Sequence, residues 1–142
     1  MSILASILLF AQATAAPAAA PATPPPLPTF VTAPSEEVAE EIVVIGRKLE
    51  TWKGGLSAQD GQLSCRTNQS TGDKEIDGIR CGAMLRCFAP EVPEMNRLSS
   101  LDVPTEERNR LMQAHAETLV PCLDAAHEAG VRYLAEVRAR AK

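Results

Sequence analysis

Hydrophobic positions recur along this chain with two different periods, and the changes of period mark its elements. Glu41–Leu49 reads EIVVIGRKL. A β-branched run of this kind, interrupted only at Gly46, predicts a strand. In Gln62–Gln69, Leu63, Cys65 and Thr67 alternate with polar neighbours, the period of two expected of a half-buried strand. Asp60-Gly61 just before it is a hairpin turn signal. Trp52–Ala58 is the matching partner strand, weakened by Gly54-Gly55. Together these segments predict a small antiparallel sheet of two or three strands.

The period then changes to that of a helix. Between Asp73 and Phe88, apolar residues fall at Ile76, Ile79, Ala83, Met84, Leu85 and Phe88, and Asp73, Glu75 and Asp77 occupy the first turn, where the helix dipole favours acids. Ser70-Thr71-Gly72 turns the chain into this helix. Ala89-Pro90-Glu91-Val92-Pro93 stops it, and a loop or short helical turn leads to Pro104. From there to Ala141 the pattern is helical, opening with Glu106 and Glu107. Leu111, His115, Leu119, Cys122, Ala126, Tyr133 and Val137 form a stripe spaced by threes, fours and sevens. Pro121 lies inside this region and must kink it or divide it into two helices, because Val120 is pushed away from the helical conformation and one ladder bond is lost. The prediction is an α+β fold: a small antiparallel sheet packed with two to three helices.

The N-terminal part has neither period. Ile3–Phe10 is a short apolar stretch followed by Ala13-Thr14-Ala15, which together predict a signal peptide over residues 1–15 with cleavage after Ala15, or alternatively after Ala13. The stretch is too short to span a bilayer, which takes roughly 20 apolar residues, so no transmembrane segment is expected in the mature chain. Residues 16–35 are rich in alanine and proline, with Pro24-Pro25-Pro26 and Pro28. Such a segment predicts an extended, polyproline-like linker. The foldable domain is then residues 36–142, in a periplasmic or secreted setting.

Charge narrows the partners. The formal net charge is −4, and Glu36, Glu37, Glu40 and Glu41 account for it; the remaining 14 acidic side chains balance the 14 basic ones. No basic field is left to attract nucleic acid, and one Trp, one Tyr and three Phe give no stacking platform for bases. A small core poor in aromatics needs staples. In an exported chain Cys65, Cys81, Cys87 and Cys122 supply them as two disulfides. On one helix Cys81 and Cys87 are about 9 Å apart in rise, beyond the roughly 7 Å allowed between bridged α-carbons. Two pairings are left: 65–81 with 87–122, which is preferred, or 65–87 with 81–122.

Candidate chemistry is sparse. His115 and His127 flank Cys122, but no C-x-x-C occurs and the spacings fit no common zinc pattern, so no metal or other cofactor is predicted. His115 lies on the apolar stripe, which points to a hydrogen-bonded core histidine rather than a general base. Asp73 and Asp77 share one helical face, as paired carboxylates would, yet first-turn acids serve the helix dipole equally well. Gly72 and Lys74 lack the order of a phosphate loop. No catalytic residue is predicted outright. An enzymatic site, if assembled, would draw on scattered residues such as His115, Asp124 and His127.

Two resemblances bear on function. Glu41-Ile42-Val43-Val44-Ile45-Gly46, following an Ala- and Pro-rich leader, resembles the TonB-box segment of TonB-dependent outer-membrane receptors, with Ile45 in place of the usual threonine. That resemblance implies a short strand that adds to the edge of the coupling protein's sheet. The stretch from Trp52 through Ser70-Thr71-Gly72-Asp73-Lys74-Glu75-Ile76-Asp77 to Cys81, Cys87 and Pro121-Cys122 is similar to small exported proteins of Gram-negative bacteria that carry no assigned function. It implies the same fold and bridges. The sequence therefore predicts a non-catalytic envelope binding or accessory protein with an envelope protein as partner. The alternatives are an envelope enzyme with a site around His115 and His127, and an inhibitor of an envelope enzyme.

Overall fold

The computed structural model describes residues 25–29, 32–59 and 62–142. The expected signal peptide with its Ala15 cleavage site, residues 16–24 of the linker and the Asp60-Gly61 turn lie outside the described residues. In chain order the elements are α1 (Glu36–Leu49), β1 (Lys53–Gln59), β2 (Gln62–Gln69), α2 (Lys74–Phe88), a 3₁₀ turn (Ala89–Glu91), α3 (Val92–Ser99), α4 (Thr105–Thr118) and α5 (Val120–Arg140). The fold is α+β and stapled by two disulfides, Cys65–Cys81 and Cys87–Cys122. It holds more helices than the two or three expected.

The added helix at the N-terminal end is a correction. Glu41–Leu49 is not a strand but the second half of α1. Ser35 caps it, its side chain accepting from the Val38 amide at 3.4 Å, while Glu36 and Glu37 open the first turn and Arg47 and Lys48 close the last. These are the dipole-matched ends of a helix. The β-branched run read as a strand only because it was taken without the residues before it. With Val38 included, Val38, Ile42, Ile45 and Leu49 recur by four, three and four, and that stripe is the face turned into the core. Burying it outweighs β-propensity, whose whole scale spans only about 1 kcal/mol. Val43 and Val44 are left on the outer face, 51% and 46% exposed. In this conformation the Glu41–Gly46 segment offers no strand to a partner's sheet.

Gly46 offers a direct check of the packing around α1. A Cβ at this position meets nothing within 4 Å, so Gly46→Ala in a helix interior is expected to raise stability by roughly 0.5–1 kcal/mol. Chemical denaturation measures it; a loss of stability would contradict the open helical position.

The core is built by α1, α2 and α5. Ile45 and Ile76 are fully buried and are packed with Val38, Leu49, Ile79, Val131, Leu134 and Ala135. Their helices are pinned at one end by Asp73, which caps α2 by accepting from the Glu75 and Ile76 amides at 3.2 and 3.3 Å. The Arg138 Nη2 of α5 donates to the same carboxylate at 2.8 Å and to Glu75 at 2.8 Å, with Lys48 of α1 3.8 Å away. Burial pushes the Asp73 carboxyl up, but the Arg138 and amide hydrogen bonds together hold it below its ordinary value. Asp77 accepts from the Ser70 hydroxyl, the Thr71 amide and the Thr71 hydroxyl. These bonds lower its pKa. The two aspartates thus secure the turn into α2, where Gly72 takes a φ of +82°, a conformation that favours glycine.

The sheet is a two-stranded antiparallel ribbon, β1 with β2, in which Leu56 faces Cys65 and Gln59 faces Gln62. It rests on α2 and is fastened there by Cys65–Cys81, with α-carbons 5.5 Å apart. At the other end of α2, Cys87–Cys122 ties α2 to α5 across a Cα separation of 6.0 Å. A second, smaller core forms beside it from Ala83, Cys87 and Ala126, with Leu27, Phe88, Cys122 and Leu123 packed against it. Leu27 brings the proline-rich segment onto the fold, where the Pro25 carbonyl accepts from Arg86 and the Thr32 carbonyl from Arg132.

The chain between the Cys87 and Cys122 staples forms an arm. Helices α3 and α4 pack on each other, burying only Leu98 fully. Proline divides the long C-terminal pattern as expected, with Leu119 between α4 and α5 and Pro121 in the first turn of α5. Because the helix restarts there, the predicted stripe does not stay in phase. Tyr133 is 61% exposed, and the inward face of α5 is instead Ala126, Ala129, Val131, Leu134 and Ala135.

Candidate functional site

Two helices and the residue before the ribbon enclose a cleft of about 350 Å³. Arg80, Ala83 and Met84 come from α2, Leu123, Asp124 and His127 from α5, and Trp52 completes the lining. Position 80 to 84 is one helical turn, and so is 123 to 127, so each wall presents one turn of a helix to the other. Ala83 belongs to the second core and keeps the two helices close at the floor.

Trp52 is set by the ribbon. Its Nε1 donates to the Thr67 hydroxyl of β2 at 3.2 Å, and its ring lies against Gly54, where an added Cβ would run into the indole and stand 2.5 Å from the Arg66 carbonyl oxygen. Gly54 therefore makes room for the indole, at the irregularity where the strand register shifts between Lys53 and Gly54. Thr67 Oγ1 lies 3.9 Å from Cys81 Sγ, so the staple, the ribbon and the indole form one connected wall.

His127 is half-buried, and its Nδ1 is buried without a hydrogen-bond partner. Burial pushes the imidazole's pKa down, Arg80 pushes it the same way, and Asp124 opposes them. From an ordinary value near 6.5, a downward shift leaves the ring neutral at neutral pH, able to donate or accept. No ion pair of the described residues joins Arg80 to Asp124, so the two charges on opposite walls are not spent on each other.

The structure separates the sequence candidates. Asp124 and His127 share the cleft. His115 does not line it; on α4 its Nε2 is 3.1 Å from a Glu91 carboxylate oxygen of the 3₁₀ turn, without the geometry of a hydrogen bond. Asp73 and Asp77 are engaged at the start of α2. All four cysteines are in disulfides. Among the described residues no group of three or more His, Cys, Asp or Glu side chains is placed to hold a metal ion, and no helix is long and apolar enough to cross a membrane. Sequence reasoning missed Trp52 and Arg80 as partners of His127. The one available signal was a glycine two positions after the chain's single tryptophan.

A wider groove of about 600 Å³ runs between Thr32–Ser35 and the end of α5. Two of its cations are paired, Arg132 with Glu136 at 3.2 Å and Lys142 with Glu41 at 2.6 Å. The smaller cleft is the one that combines an aromatic ring, an imidazole and charges of both signs. Comparison with protein-family models, curated proteins and solved structures yields no match, so the cleft's own geometry carries the functional argument.

Proposed function

We propose that this chain is an exported, periplasmic binding protein without catalytic activity, which captures a small ligand in the Trp52–Arg80–Asp124–His127 cleft. One observation carries the reading: a single small cleft joins an aromatic ring, apolar side chains, one cation, one anion and a neutral imidazole. Such convergence of a few polar groups on an apolar pocket is how ligand sites are built, and about 350 Å³ is at the small end of their usual range. The described residues lining it include no hydroxyl or thiol nucleophile and only one carboxylate, which favours binding over acyl transfer or paired-carboxylate chemistry. Export rests on the Ile3–Phe10 stretch with Ala13-Thr14-Ala15 and agrees with two disulfides, which persist in oxidising compartments.

Two measurements test it. The mature protein purified from the producing cell's envelope fraction is expected to begin between Thr14 and Pro21; intact Met1 from the cytoplasm overturns the localisation. Trp52 is the only tryptophan, so its emission reports the cleft directly. The dialysable fraction of an envelope extract is expected to shift that emission saturably, and His127→Asn to abolish the shift. An unresponsive emission overturns the ligand-binding reading.

The second reading is an envelope enzyme that uses His127 as a base, favoured by the imidazole's being held neutral beside Asp124. It predicts that the bound component of the extract is chemically changed on incubation; recovery of that component intact decides for binding.

A further inference from the structure

Resting on that reading of the cleft, we infer that its ligand is a small zwitterion with an apolar body, of the α-amino acid class. The argument is one of charge placement. Arg80 stands on the α2 wall of the cleft, and Asp124 stands on the α5 wall with His127 three residues further along the same helix. A purely anionic ligand drawn to Arg80 meets Asp124, and a purely cationic one drawn to Asp124 meets Arg80. Only a molecule carrying both poles satisfies both walls, its carboxylate on the guanidinium and its ammonium on the aspartate.

The remaining surfaces suit the rest of such a molecule. Met84 and Leu123 give an apolar seat from the two helices, and Met adapts to irregular shapes. Trp52, anchored through Thr67 and Gly54, lines the same cleft, and an aromatic face attracts an ammonium group as well as an alkyl chain.

Four leucine derivatives separate the contributions of the poles. L-leucine carries both charges, N-acetyl-L-leucine only the carboxylate, L-leucinamide only the ammonium, and N-acetyl-L-leucinamide neither. Titrated into the full mature chain and read by Trp52 emission, L-leucine is expected to bind at least about tenfold more tightly than each singly charged derivative, the discrimination that one charge-assisted contact supplies. In Arg80→Gln the advantage over L-leucinamide is expected to vanish while that over N-acetyl-L-leucine persists. Asp124→Asn is expected to do the reverse. Both positions are exposed on helix surfaces, and far-UV circular dichroism confirms that each variant folds. Equal binding of all four probes, a preference for either singly charged one, or no response to any of them overturns the inference. A saturable response to the envelope extract in the last case leaves the binding function standing; silence toward both removes the two together.

Discussion

Alanine at Ile76 is expected to cost about 2–5 kcal/mol of stability, the range for deleting a buried isoleucine side chain from a core. Ile76 has no exposed surface and is packed in the cluster that joins α1, α2 and α5. Its neighbours Val131, Leu134 and Ala135 sit on α5, which Arg138 and the second staple hold at its two ends. Such a fixed wall collapses poorly into a void, which places the cost in the upper part of the range. Against a net stability of order 5–15 kcal/mol this is a large fraction of the whole. Urea unfolding measures it. Val43→Ala, on the exposed face of α1, is the companion and is expected to stay within about 0.5 kcal/mol. Equal costs for the two would contradict the three-helix core.

Removal of the Cys87–Cys122 bridge is the second large effect. The bridge closes 35 residues of chain against 16 for Cys65–Cys81, and the loop-entropy relation gives about 4 and about 3 kcal/mol respectively. The paired substitution Cys87→Ala with Cys122→Ala is used, because Cys87 is buried in the second core and alanine leaves no unsatisfied polar group there. The arm buries so little that the loss should be felt there first. Amide hydrogen exchange in α3 and α4 is expected to accelerate before that in α1, whose core contacts are untouched. Uniform acceleration across all helices would mean that the arm has no independence.

How much of this was legible beforehand varied with where each signal resides. The alternation of Leu63, Cys65 and Thr67 marked β2, whose observed bounds Gln62–Gln69 are those the pattern predicts, and the acids of α2 marked its start, with Asp73 as the cap. The preferred cysteine pairing is the observed one, although the rise along α2 excluded only a Cys81–Cys87 link and left two pairings open. In contrast, α1 was hidden because Ile42-Val43-Val44-Ile45 has the local composition of a strand and declares its helical period only over a longer window. The cleft was half visible. Asp124 and His127 are neighbours on one helix and could be named together, whereas Arg80 and Trp52 reach them only through the packing of α2 on α5 and the seat that Gly54 gives the indole.

The geometry of the second staple also bears on how this protein can change. The chain departs from α2 at Cys87 and returns to α5 at Cys122 with only 6.0 Å between the two α-carbons, so everything between them is topologically an insertion at a single point. Lengthening such an excursion is cheap, roughly 0.6 kcal/mol for each doubling. It leaves the two walls of the cleft where they are. Between β1 and β2 there is no such freedom, because the ribbon's register sets Gly54 opposite Thr67 and through them the indole. Growth or shrinkage of the arm is therefore compatible with an unchanged cleft, while a single residue gained or lost within the ribbon strands would re-aim the tryptophan.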